Sequence, residues 1–95
     1  MLELESIKNS IIPFVGDYAI KKVAVFGSVA RGQDALDSDI DLLMDFGKNF
    51  GVFDLIRLKQ SLEDEIGRKI DIVEYSSIDP LIKDAILKEA VVIYG

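Results

Sequence analysis

The chain has 95 residues, of which 49% are hydrophobic, 11 are basic and 17 are acidic, so its formal charge is −6. A chain of this length supports one hydrophobic core, and we expect residues 1–95 to form a single domain. The acidic balance argues against a long nucleic acid as ligand, because such ligands bind a basic surface. The absence of cysteine and histidine excludes disulfides, thiolate-bound metals and a Ser-His-Asp hydrolase. Only oxygen ligands remain, and these suit hard cations.

The amino-terminal sequence Met-Leu-Glu-Leu-Glu lacks the basic segment and apolar block of a signal peptide. No apolar run reaches the length that a membrane-spanning helix needs. We therefore expect no membrane association and a cytoplasmic location.

The first half of the chain opens with apolar residues at helical spacing, which predict an amphipathic helix over about residues 3–15. Residues 22–26 form a short apolar run that stops at Gly27, as is typical of a central strand covered on both faces. One or two helical turns are predicted over residues 28–33, and an exposed loop leads from there to Ser38.

The second half begins with residues 39–46, whose alternation predicts a strand with aspartates on one face and apolar side chains on the other. Residues 52–66 have helical apolar spacing and are followed by Gly67, a suitable C-terminal stop. A third strand is predicted over residues 69–75. Asp79-Pro80 starts a last helix that runs to about Glu89, and residues 91–94 add a short edge strand. This order predicts an α/β fold, with a mixed sheet flanked by helices.

Three aspartates are the candidate metal ligands. Asp39 and Asp41 share one face of the second strand, with Cα atoms about 6.5 Å apart, so their carboxylates can converge on one cation. Asp71 lies between two isoleucines in a strand that otherwise looks buried or half-buried. If the two strands are neighbours, the three carboxylates form the ligand set for one or two Mg²⁺ ions, with Mn²⁺ as the alternative.

Gly27 and Ser28 lie where the first strand meets a helical turn, a geometry in which backbone N–H groups and a hydroxyl can receive phosphate oxygens. Arg31 can either pair with a phosphate or brace the loop. Gly27 and Gly32 also match the glycine spacing of a Walker P-loop. However, Gln33-Asp34 replaces the Lys-Ser/Thr that such ATPases require.

The string Gly27-Ser28-Val29-Ala30-Arg31-Gly32, followed by Ser38-Asp39-Ile40-Asp41-Leu42, resembles the signature of the minimal nucleotidyltransferases. These form a branch of the DNA polymerase beta nucleotidyltransferase superfamily. The resemblance covers nearly the whole chain. It implies that Gly27 and Ser28 hold a nucleoside triphosphate, with Arg31 and Ser38 as further nucleotide-binding residues. It also implies that Asp39 and Asp41 bridge the metals and that Asp71 is the third catalytic carboxylate.

The same resemblance implies a partner, because minimal nucleotidyltransferases are often encoded beside a helical HEPN protein that acts as a toxin. We therefore expect transfer of AMP from ATP to a tyrosine of such a toxin, which silences it. Two alternatives remain open from the sequence. The domain can neutralise its partner by binding alone, or it can modify a small molecule such as an aminoglycoside, as related larger enzymes do.

Overall fold

The computed structural model describes residues 4–32 and 39–95. The first described range contains helix α1 (Leu4–Val15), strand β1 (Ile20–Phe26) and the short helix α2 (Gly27–Ala30). The second contains, in order, strand β2 (Ile40–Phe46), helix α3 (Val52–Ile66), strand β3 (Ile70–Glu74), helix α4 (Pro80–Glu89) and strand β4 (Val91–Tyr94). A 3-10 turn, Tyr75–Ser77, separates β3 from α4. The predicted helices and strands are confirmed, and most boundaries agree within two residues. Helix α2 ends three residues before the predicted limit, and the predicted loop over residues 33–38 lies outside the described residues.

The four strands form one mixed sheet in the order β3-β2-β1-β4. Strand β1 runs antiparallel to both β2 and β4, whereas β2 and β3 are parallel. A parallel pair needs a long crossover, and α3 supplies it. The predicted central position of β1 is confirmed, since Val23, Ala24 and Val25 are all fully buried.

Helices α1 and α3 cover one face of the sheet. Their apolar stripes, which include Ile11 and Leu62, pack against Ile40, Leu42 and Met44 of β2, and these residues form the main core cluster. Burial of these stripes from water is the main force that holds the helices to the sheet.

Helix α4 lies on the opposite face, where Ile86 packs against a smaller cluster of Ala24, Leu43 and Ile78. Its first turn is capped as predicted, because the Asp79 carboxylate accepts a hydrogen bond of 2.9 Å from the Leu81 N–H. This face carries the odd-numbered residues of β2, and therefore Asp41. The aspartates thus lie on the face that α4 covers. Across residues 4–32 and 39–95, none of the helices combines the length and the apolar character needed to cross a membrane.

Candidate active site

The turn between β1 and α2 brings the backbone directly against an aspartate. Gly27 has φ +76°, in the left-handed region that favours glycine. A Cβ atom at this position would overlap Oδ2 of Asp41 and lie 3.1 Å from its Cγ. Glycine is therefore required here both by the backbone conformation and by the close approach to the Asp41 carboxylate.

Asp41 and Asp71 are register partners on the parallel strands β2 and β3. Partners in a parallel pair project their side chains from the same face, so the two carboxylates share the face under α4. The two strands are therefore neighbours, which is the condition under which the sequence predicted that the aspartates meet. Asp71 itself is exposed, whereas Ile70 is buried and Ile72 and Val73 are half-buried. The strand is therefore otherwise buried or half-buried, as predicted, and it is an edge strand of the sheet.

Electrostatics link all three predicted aspartates. Burial raises the pKa of the half-buried Asp41, and the negative charges of Asp71 and then Asp39 raise it further. The nearby Arg31 guanidinium opposes this effect. Like charges disfavour ionisation when they share a site, so Asp41 pays an electrostatic penalty that a bound cation would remove.

The donor set suits a hard cation because every candidate ligand is a carboxylate oxygen. Within residues 4–32 and 39–95, no three acidic side chains converge tightly enough to form a metal-binding group. The fit to a cation therefore rests on Asp41 and Asp71, which are in register. Asp39 lies just ahead of β2 and is exposed, and its negative charge reaches Asp41 electrostatically.

The Gly27 turn has an acceptor that sequence reasoning missed. The Gly27 N–H donates to Oε1 of Glu89, the last residue of α4, at 2.8 Å. Nη1 of Arg31 donates to both oxygens of the same carboxylate, at 3.2 Å and 3.0 Å. These contacts lower the pKa of Glu89, the Gly27 N–H contributing most. A glutamate at a helix C-terminus is opposed by the helix dipole, and this was the signal in the sequence that could have marked Glu89.

The remaining predicted nucleotide-binding residues are only partly brought together. Ser28 is half-buried in the first turn of α2, next to Gly27. Arg31 directly follows α2, where it pairs with Glu89. Ser38 lies outside the described residues.

A cleft of about 450 Å³ opens beside the aspartates. Asp41 and Asp71 lie along one side, and Val73, Ile82 and Ile86 contribute apolar walls. Pockets of roughly 300–1,000 Å³ with few polar groups are typical of small-molecule sites. The cleft therefore offers a space for an apolar or aromatic group next to the two carboxylates.

This fold, with a glycine-serine turn against Asp41 of the adjacent strand and Asp71 in register with it on the next strand, is that of a nucleotidyltransferase. Residues 9–95 match the family described as Polymerase beta, Nucleotidyltransferase. The chain belongs to this family, within its minimal nucleotidyltransferase branch.

Two relatives resemble this chain over almost their whole length. The Methanocaldococcus jannaschii protein named Putative protein adenylyltransferase MJ0435 is 43% identical over 90 residues, which cover 95% of this chain and 97% of the relative. Protein adenylyltransferase MntA of Thermococcus cleftensis is 33% identical over 95 residues, which cover 96% of each chain.

A solved structure has a similar fold. It contains a tri-AMPylated Shewanella oneidensis HEPN toxin in complex with MNT antitoxin. The TM-score is 0.71 at 18% identity, and the match covers 96% of this chain and 71% of that chain.

Proposed function

We propose that this protein is an antitoxin that transfers AMP from ATP to a tyrosine hydroxyl of a HEPN-type toxin. The observation that carries the proposal is the register pair Asp41 and Asp71, placed beside the Gly27 turn. Relatives named protein adenylyltransferase support AMP as the transferred group. A similar fold in a complex that contains an AMPylated HEPN toxin supports the acceptor. ATP is a cytoplasmic substrate, and we propose that the protein acts in that compartment.

The triphosphate is proposed to lie along the turn that begins α2. Ser28 offers its hydroxyl and backbone N–H there, and Arg31 supplies a positive charge near Asp41. Gly27 allows the main chain to come close to its neighbours without a side chain in the way. Ser38, next to Asp39 in the sequence, is kept as a further proposed contact.

Asp39, Asp41 and Asp71 are proposed to hold Mg²⁺, as one or two ions, with Mn²⁺ as a substitute. Bound there, Mg²⁺ would neutralise the charges of the carboxylates and of the triphosphate and favour loss of the acceptor proton. The raised pKa of Asp41 supports this assignment, because burial and like-charged neighbours disfavour its ionised form when no cation is present.

In the transfer step, the acceptor oxygen attacks the α-phosphorus in line with the bond to the leaving group. A new oxygen–phosphorus bond forms, the bond between the α-phosphorus and the bridging oxygen breaks, and pyrophosphate leaves. Asp71 is proposed to accept the proton of the acceptor hydroxyl, since its carboxylate is exposed and lines the cleft. Asp41 lies beside it, close to the Gly27 backbone.

The cleft under α4 suits the acceptor side chain. Its apolar walls, formed partly by Ile82 and Ile86, can pack against an aromatic ring while the hydroxyl reaches Asp71. The apolar walls support an aromatic acceptor such as tyrosine, and Ser77 and Asp79 add polar groups to the lining.

The test uses ATP labelled in its α-phosphate, Mg²⁺, and the protein encoded by the adjacent gene, which the proposal expects to be of the HEPN type. The wild-type protein should label that partner, and Asp39→Ala/Asp41→Ala should reduce labelling to background. Asp45→Asn is the matched control, because Asp45 is an exposed aspartate of the same strand and face. Equal labelling by the double variant and the wild type would refute the catalytic proposal.

Exposed apolar side chains favour the second candidate, a module that neutralises its partner by binding alone. Leu81 on α4 is 92% exposed, and Val52 and Phe53 at the start of α3 are 72% and 77% exposed. Such side chains are common in protein interfaces. If the double aspartate variant still protects cells from the partner, binding suffices. Loss of protection with binding retained would exclude this candidate.

A further inference from the structure

Glu89 joins two parts of the proposed site that are far apart in sequence. Its carboxylate receives the Gly27 N–H at 2.8 Å and Nη1 of Arg31 at 3.0–3.2 Å. Gly27 is the first residue of α2 and Arg31 directly follows its last residue, so one side chain from the end of α4 holds both ends of this short helix. The contacts reach across 62 and 58 residues of sequence.

The negative charge of Glu89 destabilises the C-terminal end of α4 unless these partners are present. A carboxylate in the last helical turn is repelled by the partial negative charge of the helix end. Within the described part of the chain, the Gly27 N–H and the Arg31 guanidinium are the groups seen to offset that repulsion, and together they lower the pKa of Glu89. Glu89 also lies close enough to Asp41 to act on it electrostatically, as Arg31 does in the opposite direction.

We infer that Glu89 is a positioning residue for nucleotide binding: it fixes the Gly27 turn against Asp41 and holds Arg31 beside the triphosphate site. This inference rests on the proposed function. The ion pair also matters for charge, because the Arg31 guanidinium offsets the negative charge of Glu89, which alone would repel a triphosphate. The contact with Glu89 also restricts the rotamers of the Arg31 side chain before a nucleotide binds. Glu89 does not touch the reacting atoms, and its effect passes through Gly27 and Arg31.

Two variants separate the effect of the Gly27 hydrogen bond from that of the Arg31 ion pair. Glu89→Gln keeps an oxygen that can accept from the Gly27 N–H but loses the charge that pairs with Arg31. Glu89→Ala removes both. Hydrogen bonds to charged groups correspond to roughly ten- to hundredfold in an equilibrium constant. We expect the KM for ATP to rise about tenfold or more in Glu89→Ala and less in Glu89→Gln, with a smaller change in kcat.

The experiment measures kcat and KM for ATP in the partner-labelling reaction with the full chain, together with Tm. Glu65→Ala is the control, since Glu65 is an exposed glutamate of α3, which packs on the other face of the sheet. The amide signal of Gly27 in NMR spectra reports the hydrogen bond directly, and it should change more in Glu89→Ala than in Glu89→Gln.

The possible results separate the inference from the proposed function. A wild-type protein that labels nothing defeats the proposed function, and the inference falls with it. An active wild type whose Glu89 variants keep its KM defeats the inference alone, even if their Tm falls. A lower KM in Glu89→Ala would also overturn it, because Glu89 would then compete with phosphate for the turn.

Discussion

A Gly27→Ala substitution would place a methyl group against the Asp41 carboxylate. Two costs follow from the structure. The first is conformational, since Gly27 has φ +76° and the left-handed region costs a residue with a side chain about 1–2 kcal/mol. For a domain of this size, this corresponds to a fall in Tm of about 4–16 °C.

The second cost is a displacement of the Asp41 carboxylate in the candidate active site. The new methyl group would overlap Oδ2 of Asp41, so the carboxylate must move by more than about 1 Å to restore ordinary contact. The end of an aspartate side chain can rotate at little cost in stability. Misplacement of a catalytic group by about 1 Å can, however, reduce the rate on the order of a hundredfold.

Gly67→Ala is the matched control. Gly67 has φ +77° and ends α3, but a Cβ there meets no atom within 4 Å among the described residues. Both variants should therefore lose similar stability in thermal unfolding, whereas only Gly27→Ala should lose AMP transfer when both are assayed well below their Tm. Wild-type transfer rates in a folded Gly27→Ala protein would refute the argument that this contact positions Asp41.

Two further predictions concern stability. Burial and the charge of Asp71 raise the pKa of Asp41 in the folded protein above its ordinary value of 3.8. Ionised Asp41 therefore destabilises the folded protein once the pH exceeds that raised pKa. Asp41→Asn should increase Tm at pH 7 in EDTA, and the gain should vanish at pH 3, where Asp41 is protonated. A gain that persists at pH 3 would contradict this electrostatic origin. Leu62→Ala, at a fully buried position of α3, should lower the free energy of unfolding by about 2–5 kcal/mol in urea denaturation. Leu87→Ala, at a position that is 40% exposed, should cost much less, and equal losses would contradict the assignment of the core.

The periodicity of the sequence was sufficient to predict most elements of the fold. Residues 52–66 show a continuous apolar stripe, and the observed helix has the same bounds, with Gly67 at its end. The cap at Asp79 was also predictable, because Asp-Pro combines a side-chain acceptor with a residue suited to the first turn. The strand directions could not be predicted, because strand pairing depends on how segments that are distant in sequence meet in the fold.

The candidate site was likewise predictable from the sequence only where a local pattern specifies the position of a residue. The aspartates of β2 alternate with apolar residues, so their shared face could be predicted from the strand period alone. That Asp71 aligns with Asp41 depends on the parallel register of β2 and β3, which no local pattern specifies. Glu89 was missed because its partners lie about 60 residues away, and a glutamate near the end of an exposed helix usually only faces solvent.

The proposed activity requires the Asp41–Asp71 pair to hold a divalent cation during nucleotide transfer. Anomalous diffraction from crystals grown with Mn²⁺ and a non-hydrolysable ATP analogue would locate that cation. We expect an anomalous peak within coordination distance of the carboxylates of Asp41 and Asp71, with the triphosphate along the turn at Ser28. A bound analogue whose manganese lies away from both carboxylates would contradict it.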